Sequence, residues 1–357
     1  MDPTRIATLP KVELHVHLEG TISASTAAGL ARARGEDPTS VLVLADGPGE
    51  ADVADGPGAT GTAPRYPHPF RDFLHFVDTF LAASGQVRTP ADLTTVVTAF
   101  AAAQAAQRVR WTEATFTAVT MEQRGWEPAA MWDAVAEGLA EGLAAGPDAH
   151  VGLILDTPRD LGVDLARRNV ELARSALDAG LPVVALGLTG VEGAVHVGEF
   201  AFLRAAADEL GIGLVPHAGE MGGPDVVADS LDLLRPDRIG HGIATASDPA
   251  LLARVAEEGV VLEVCQSSNV TLGLVPSLDA HPIRTLRDAG VAITINSDDP
   301  PFFATTLTDE LAHAVRLLEL DASRLAALQR RAVDASFAPA ELRAAVHAEL
   351  DVWLREG

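Results

Sequence analysis

The stretch V-A-I-T-I-N-S-D-D-P (291–300) joins a short apolar run to two adjacent carboxylates, Asp298 and Asp299. A short apolar run bounded by polar residues is typical of a buried parallel strand. Like charges side by side repel each other, so this pair needs a cation or a hydrogen-bonding partner. Neighbouring residues of a strand point to opposite faces, so the strand must bend or stop here if both carboxylates serve one site.

Seven similar runs precede this one, and segments with helical spacing separate most of them. The eight runs are mostly rich in Val, Ile and Leu and cover residues 11–18, 110–117, 150–156, 181–188, 212–218, 237–242, 260–266 and 291–297. Strand–helix alternation indicates a parallel sheet, and eight units predict an α/β fold, the (β/α)8 TIM barrel. An open doubly wound sheet is the alternative, but it usually has a Gly-rich fingerprint after its first strand, where this chain has H-L-E-G. We therefore expect residues 1–357 to form a single barrel domain.

An acidic segment rich in Gly and Pro interrupts the pattern after the first strand. Residues 45–58 contain A-D-G-P-G twice, and the irregular composition continues to residue 67. This composition predicts a flexible insert over 45–67, either a plain loop or a mobile flap over a site. Extra helices are also predicted. Residues 68–80 form either an ordinary amphipathic helix or a cap on the pocket, and 330–342 contain a helix, a break and the start of a C-terminal helix outside the barrel.

The composition limits the partners of the protein. Its formal net charge is −24, and an acidic chain repels phosphate backbones, so we expect no nucleic-acid partner. No apolar stretch approaches the roughly 18 residues of a membrane helix, and the first residues do not resemble a signal peptide. We therefore expect a cytoplasmic protein without a membrane partner. Cys265 is the only cysteine, which excludes an intrachain disulfide, and the oligomeric state is left open.

Several predicted strands end on residues of the kind that bind metals. In a barrel of this type the carboxyl ends of the strands meet at one mouth, where active sites lie. The ionisable residues at these ends are His15, His17, His217, Glu220, His241, Asp298 and Asp299. The two histidines of the first strand are spaced to face the same way on an extended chain. Imidazoles and a carboxylate that converge at one mouth predict a site for Zn²⁺ or a related first-row ion.

Five motifs at these strand ends resemble the adenosine deaminase family of metal-dependent amidohydrolases. They are K-V-E-L-H-V-H-L-E-G, P-H-A-G-E, I-G-H-G-I, L-E-V-C-Q-S-S-N-V and N-S-D-D-P. The resemblance runs from about residue 8 to about residue 345, with the 45–67 insert outside it. It implies a zinc-dependent hydrolysis of the 6-amino group of a purine, with release of ammonia.

One set of residues matches the metal ligands of that family. The resemblance implies that a single zinc ion is bound by His15, His17, His217 and Asp298. The metal makes an activated water available, and His241 would orient this water and take part in its deprotonation. Related barrels with two metals are usually bridged by a modified lysine. The only lysine here, Lys11, stands at the start of the first strand, at the wrong end, so one metal ion per chain is expected.

A second set matches the residues that bind and protonate the purine. The resemblance implies that Glu220 donates a proton to ring N1, that Asp299 binds N7 and that the backbone N–H of Gly190 meets N3. Glu19 and His17 are expected to contact the substrate as well. The expected catalytic residues are Glu220, His241 and Asp298.

Three departures from the family pattern leave the substrate open. Glu19 stands where adenosine deaminases commonly have Asp, Gly187 where many have an acidic residue, and Gln266 where Pro is usual. Adenosine or 2′-deoxyadenosine is the leading expectation, with inosine or 2′-deoxyinosine as the product. Adenine and 6-amino-6-deoxyfutalosine are the alternatives. A catalytically silent purine-binding barrel is a further rival, which the complete set of site residues disfavours.

Other residues have interpretations that the structure can test. Glu13 and Glu263 alternate with apolar residues and could hydrogen-bond a metal-binding histidine. Cys265 is expected to be a buried strand residue, and residues 267–269 either a turn or part of the pocket rim. No motif surrounds the remaining histidines of interest, which are expected to be structural or exposed to solvent: His150, His196 and His281.

Overall fold

The computed structural model describes residues 2–45, 64–144 and 146–356. Eight parallel strands form one sheet in sequence order, which confirms the predicted (β/α)8 barrel. The strands are β1 Lys11–His17, β2 Val109–Phe116, β3 His150–Pro158, β4 Val183–Thr189, β5 Gly213–Ala218, β6 Arg238–His241, β7 Val261–Val264 and β8 Ala292–Ile295. Each strand overlaps a run predicted from the sequence.

The barrel closes between β8 and β1 through residues that follow β8. The backbone N–H of Asp298 donates to the carbonyl of His15 at 3.1 Å, and the N–H of His17 donates to the carbonyl of Asp298 at 3.0 Å. These bonds form a parallel bridge between Val16 and Asp298. The closure of the barrel therefore sets Asp298 directly beside the two histidines of β1.

Helices cover the outside of the sheet. They are α1 Pro3–Ala7, α2 Ala24–Ala33, α3 Pro38–Val41, α4 Phe73–Ser84, α5 Pro90–Ala106, α6 Ala118–Gln123, α7 Pro128–Leu143, α8 Val163–Asp178, α9 Phe202–Leu210, α10 Pro224–Asp229, α11 Pro249–Glu258, α12 Gln266–Thr271, α13 Ile283–Asp288, α14 Leu307–Leu318, α15 Ala322–Ala335 and α16 Ala340–Arg355. The break predicted within 330–342 is confirmed between α15 and α16. Within the described ranges, no helix combines the length and the apolar character needed to cross a membrane.

The strands are buried on both faces, as their nearly continuous apolar sequences predict.

Lys11 is the first residue of β1 and lies at the end of the barrel opposite Asp298. Its Nζ donates to three backbone carbonyls at distances between 2.8 and 3.1 Å, those of Ala7, Leu9 and Gln107. Burial lowers the pKa of this amine to about 7. The only lysine of the chain therefore lies far from the strand ends where a bridged metal pair would need it.

The insert predicted over 45–67 lies largely outside the described residues, which omit 46–63. Its described ends meet, because the N–H of Ala45 donates to the carbonyl of Arg65 at 2.9 Å. Tyr66 is buried and donates through its hydroxyl to the carbonyl of Ile22 at 2.9 Å. Its ring stacks on Phe302 with centroids 4.3 Å apart. The insert therefore leaves and rejoins the barrel at one place.

Candidate active site

All four side chains predicted to bind the metal converge at the carboxyl ends of β1, β5 and β8. The Nε2 atoms of His15 and His17 lie 3.4 and 3.3 Å from Asp298 Oδ1. The Nε2 atom of His217 lies 3.2 Å from that of His17. His15 Nε2 is buried without a hydrogen-bond partner among the described residues. A buried polar atom left in this way costs free energy unless something else binds it.

The spacing of these atoms fits a metal ion. Two ligands of a tetrahedral ion with bonds of about 2.0–2.1 Å lie about 3.3–3.4 Å apart. The measured separations of 3.2 to 3.4 Å agree with this geometry. Three imidazoles and one carboxylate are also a donor set that first-row ions such as Zn²⁺ prefer. The residues present therefore fit the kind of metal that the sequence predicts.

Buried charged residues inside the barrel hold His15 in position. Its Nδ1 lies 2.9 Å from Glu263 Oε2, and Arg238 Nε donates to Glu263 Oε1 at 2.6 Å. A carboxylate on Nδ1 orients the ring and leaves Nε2 available to a metal. Glu263 thus makes the contact predicted for it. The same prediction for Glu13 is wrong, because its Oε1 accepts from the N–H and the hydroxyl of Ser297 at 2.9 and 2.6 Å.

Asp298 and Asp299 diverge because the chain turns at this pair. β8 has already ended, and Asp298 has a left-handed backbone with φ of 64°, which costs about 1–2 kcal/mol for a residue with a Cβ. Asp299 approaches the backbone of Gly20, where a Cβ would lie 1.7 Å from Asp299 Oδ1. Burial, and then the charge of Asp298, raise the pKa of Asp299 to about 8. A raised pKa favours the protonated form of this carboxyl, which can donate a hydrogen bond.

Glu220 lies on the loop after β5, and Glu192 fixes that loop. Glu192 accepts from the backbone N–H groups of Gly219, Glu220 and Met221 at 2.8, 2.8 and 3.2 Å. Burial, and then the negative charges of Asp298 and Glu192, raise the pKa of Glu220 to about 8. A carboxyl in this state can donate a proton at neutral pH.

His241 ends β6 with a left-handed backbone of φ 59°. Its Nε2 lies 3.6 Å from Glu220 Oε1 and 4.0 Å from Asp298 Oδ2. Its Nδ1 lies 3.4 Å from the side-chain nitrogen of Asn269. Burial, and then the charge of His15, lower the pKa of His241 to about 3, so the ring is neutral at neutral pH.

These residues form the floor of a cavity of about 570 Å³. The predicted site residues that line the cavity are His17, Glu19, Gly190, His217, Glu220, His241, Asp298 and Asp299. His15 is 2 % exposed and does not line it. Glu19 accepts from the N–H of Thr117 at 3.0 Å. Burial, and then the charge of Asp156, raise the pKa of Glu19 to about 7.

The outer part of the cavity is apolar. Five apolar residues of α4 line it together with Ser84, so the helix predicted near 68–80 does border the pocket; the five are Phe73, Phe76, Val77, Phe80 and Leu81. Leu81, Leu161 and Val191 line the cavity and yet remain 54 %, 39 % and 45 % exposed. Exposed apolar side chains around a polar floor are typical of a ligand groove. Arg124 is the only Lys or Arg among the lining residues that the structure describes.

Some residues of the site carry no motif that would have revealed them. The only sequence signal for Glu192 is its position two residues after Gly190, in L-T-G-V-E (188–192). The turn predicted for 267–269 is wrong, because these residues lie in the helix α12, and the alternative of a pocket rim is wrong because none of them lines the cavity. His281 is buried and lies 3.1 Å from Asn269 Oδ1.

The other side-chain expectations agree with the structure, except that Cys265 lies just outside the strand in which it was expected. Cys265 is buried, directly after β7, and Sγ contacts the carbonyl of Glu263. His150 and His196 are exposed. None of these three residues lines the cavity.

A sequence profile of the adenosine deaminase family matches residues 10–353. The chain is 39 % identical over 355 residues to an aminodeoxyfutalosine deaminase of Streptomyces avermitilis, covering 98 % of this chain and 92 % of that protein. It is 35 % identical over 344 residues to an adenine deaminase of Chelativorans sp., covering 96 % and 98 % of the two chains. Its fold matches the crystal structure of the adenine deaminase from Arthrobacter aurescens with a TM-score of 0.82 and 27 % identity, over 98 % of this chain and all of that one. The chain belongs to the adenosine deaminase family and is a purine deaminase, an amidohydrolase that acts on a carbon–nitrogen bond.

Proposed function

We propose that this protein uses one zinc ion to hydrolyse the 6-amino group of an adenine nucleoside with an enlarged N9 substituent. Aminodeoxyfutalosine is the leading substrate candidate. The proposal rests on one observation above all, which is that two carboxyls with raised pKa values, Glu220 and Asp299, flank the His/Asp cluster at the floor of a cavity with apolar outer walls. Adenosine and 2′-deoxyadenosine, the leading expectation from the sequence, have less support. The two relatives described above are named for aminodeoxyfutalosine and adenine.

In this proposal His15, His17, His217 and Asp298 hold the zinc ion. When bound, the ion supplies a water acidic enough to act as a nucleophile near neutral pH. Glu263 orients the His15 ring through its 2.9 Å contact with Nδ1. His241 lies close to Glu220 and Asp298 and would orient the attacking water.

The remaining residues would bind the purine and move protons to it. Glu220 would donate its proton to ring N1 as the water adds to C6, and Asp299 would donate a hydrogen bond to N7. The raised pKa of each carboxyl, about 8, supports a donor role at neutral pH. The backbone N–H of Gly190 is assigned to N3. Glu19 is assigned to the sugar of the substrate, and His17 is assigned to the edge of the purine ring.

The cavity favours a substrate larger than adenine. Its volume of about 570 Å³ falls in the range of roughly 300–1,000 Å³ that is typical of sites for drug-sized ligands. A free base would occupy only the polar floor. The phenylalanines of α4, with Leu81 and Leu161, would cover an apolar substituent beyond the sugar, and Arg124 would meet an anion at its end. Aminodeoxyfutalosine is a modified adenosine, and the relative with 39 % identity carries its name.

A substrate panel tests the proposal. The zinc-loaded protein is assayed by ultraviolet absorbance with aminodeoxyfutalosine, adenosine, 2′-deoxyadenosine and adenine, with ammonia release as the check. We expect kcat/KM for aminodeoxyfutalosine to exceed the others by at least about tenfold, since covering an apolar group of two methylenes contributes about 1.6 kcal/mol.

Adenine is the second candidate, and the 35 % identical relative and the Arthrobacter aurescens structure support it by name. A preference for adenine in the panel would assign the protein to that activity and leave the apolar walls without a role. Preference for adenosine would restore the leading sequence expectation. Absence of ammonia release from every substrate would contradict the proposed deamination.

Arg124 provides a separate test of the enlarged substituent. Arg124→Ala should raise KM roughly threefold to fivefold for a 5′-extended adenine nucleoside that ends in a carboxylate, because an exposed ion pair contributes at most about 1 kcal/mol. The methyl ester of the same nucleoside should show no change, and neither should adenine. Arg32→Ala removes an exposed charge of α2 that does not line the cavity and is the matched control. An equal effect on the acid and on its ester would contradict the role given to Arg124.

A further inference from the structure

We propose that Asn269 and His281 are positioning residues that fix His241 in the neutral tautomer with its proton on Nε2. His241 then donates a hydrogen bond to the attacking water and does not remove its proton. The inference deepens the proposed function, because it defines what one residue of that same site can do. It rests on a chain of hydrogen bonds that begins outside the cavity and ends at the His241 ring.

The chain begins at a backbone amide. The N–H of Ile283, at the start of α13, lies 3.1 Å from His281 Nδ1. A backbone N–H can only donate, so His281 Nδ1 is the acceptor. A neutral imidazole that accepts at Nδ1 carries its proton on Nε2. His281 is buried, and burial lowers its pKa to about 4, which agrees with a neutral ring.

The side chain of Asn269 connects His281 to His241. His281 Nε2 lies 3.1 Å from Asn269 Oδ1, so the protonated nitrogen donates to the amide oxygen. This contact orients the side-chain amide and turns Nδ2 toward His241 Nδ1, at 3.4 Å. An amide nitrogen can only donate, so His241 Nδ1 must accept. The His241 proton is therefore on Nε2.

The backbone of Asn269 is held as firmly as its side chain. Its N–H donates to the carbonyl of Cys265 at 3.1 Å, and its own carbonyl accepts from Leu274 and Val275 at 3.0 Å each. The residue is fully buried. The main chain of Asn269 is therefore fixed, and its buried side-chain amide is in contact with a histidine on either side.

The far side of the His241 ring faces acceptors. Nε2 lies 3.6 Å from Glu220 Oε1 and 4.0 Å from Asp298 Oδ2, so a proton on Nε2 points into the space between two carboxyl groups. The opposite tautomer would set an N–H of His241 against the NH₂ of Asn269, with no acceptor between them. A doubly protonated ring would meet the same conflict. The proton that leaves the water then has Asp298 as its acceptor, and His241 stabilises the developing negative charge on the oxygen.

The first test reads the tautomer directly. Zinc-loaded protein labelled with ¹⁵N at the imidazole nitrogens is examined by NMR, and the His241 signals are assigned by comparison with His241→Ala. We expect one nitrogen with the shift of a protonated position, coupled as Nε2–H, and one with the shift of an unprotonated acceptor, Nδ1. A proton on Nδ1 of His241 would overturn the proposal.

Two substitutions test the relay itself. Asn269→Asp is nearly isosteric and replaces the donating NH₂ with an accepting oxygen, so it should move the His241 proton to Nδ1 and lower kcat on the order of a hundredfold with little change in KM. His281→Gln retains a donor toward Asn269 Oδ1, so the His241 spectrum should keep the wild-type pattern. An unchanged spectrum and an unchanged kcat in Asn269→Asp would overturn the relay. Should that variant fail to fold, a proton on Nδ1 of His241 in the wild-type spectrum still overturns the proposal.

The tautomer and the proposed function can fail separately. The NMR signals need no substrate and no turnover. A protein that keeps Nε2–H on His241 but releases ammonia from none of the panel substrates supports the relay and contradicts the deamination. A protein that deaminates its substrate with the proton on Nδ1 does the reverse.

Discussion

Replacing Glu220 by glutamine is expected to leave the metal in place and to lower kcat roughly 10²- to 10⁴-fold, the usual contribution of general acid–base catalysis. Glutamine has nearly the same shape as the protonated acid but has no proton to transfer to ring N1. Burial, and then the charges of Asp298 and Glu192, hold the pKa of Glu220 at about 8. Three backbone hydrogen bonds to Glu192 keep the loop in position, so the substitution removes a proton and little else.

Steady-state kinetics and metal analysis of the same preparation check this expectation. Wild-type kcat/KM should also fall as the pH rises through about 8, because the active form of Glu220 is the protonated one and deprotonation follows its raised pKa. Glu199→Gln removes an exposed carboxylate that does not line the cavity and should behave as wild type in both measurements. Substantial turnover by Glu220→Gln with its zinc retained would show that another group supplies the proton.

The barrel and the metal-binding cluster could be predicted because both depend on local sequence. Each strand is a short apolar run between turn residues. The carboxyl ends of parallel strands meet at one end of the barrel, and this does not depend on the sequences of the helices. His15 and His17 need only the two-residue period of β1 to face the same way. The bend at Asp298 and Asp299 followed from the need for two neighbouring carboxylates to serve one site, and the left-handed φ of Asp298 is how the chain achieves it.

The supporting residues could be predicted only in part, because their roles depend on contacts between distant parts of the chain. Glu13 and Glu263 have the same alternation with apolar neighbours, and only the tertiary structure shows that Glu263 reaches His15 while Glu13 binds Ser297. His281 has no motif, yet it is connected to the site through Asn269. The substrate could not be predicted from the sequence for a similar reason. The apolar wall of the cavity is formed by α4 and by loops after several strands, which are far apart in the sequence.

Asp298→Ala is expected to lose the metal. Asp298 Oδ1 lies 3.3 and 3.4 Å from the Nε2 atoms of His17 and His15, and it is the only carboxylate of the proposed ligand set. Substitution of a group that merely orients a ligand typically lowers metal affinity about 10- to 100-fold, so removal of a ligand should exceed about a hundredfold. The loss should also weaken the folded state in the presence of zinc, because an ion that binds only the native protein stabilises it.

Zinc affinity is measured by competition with a chromophoric chelator, and thermal unfolding is followed with and without added zinc. Added zinc should raise the Tm of the wild type and leave that of Asp298→Ala unchanged. Because alanine is disfavoured at the positive φ of residue 298, a lower Tm without zinc is expected and does not bear on ligation. Asp299→Asn is the matched control, since it changes the adjacent buried carboxyl outside the proposed ligand set. It should keep its zinc and lose turnover, whereas full zinc occupancy in Asp298→Ala would remove Asp298 from the ligand set and leave the three histidines to hold the ion.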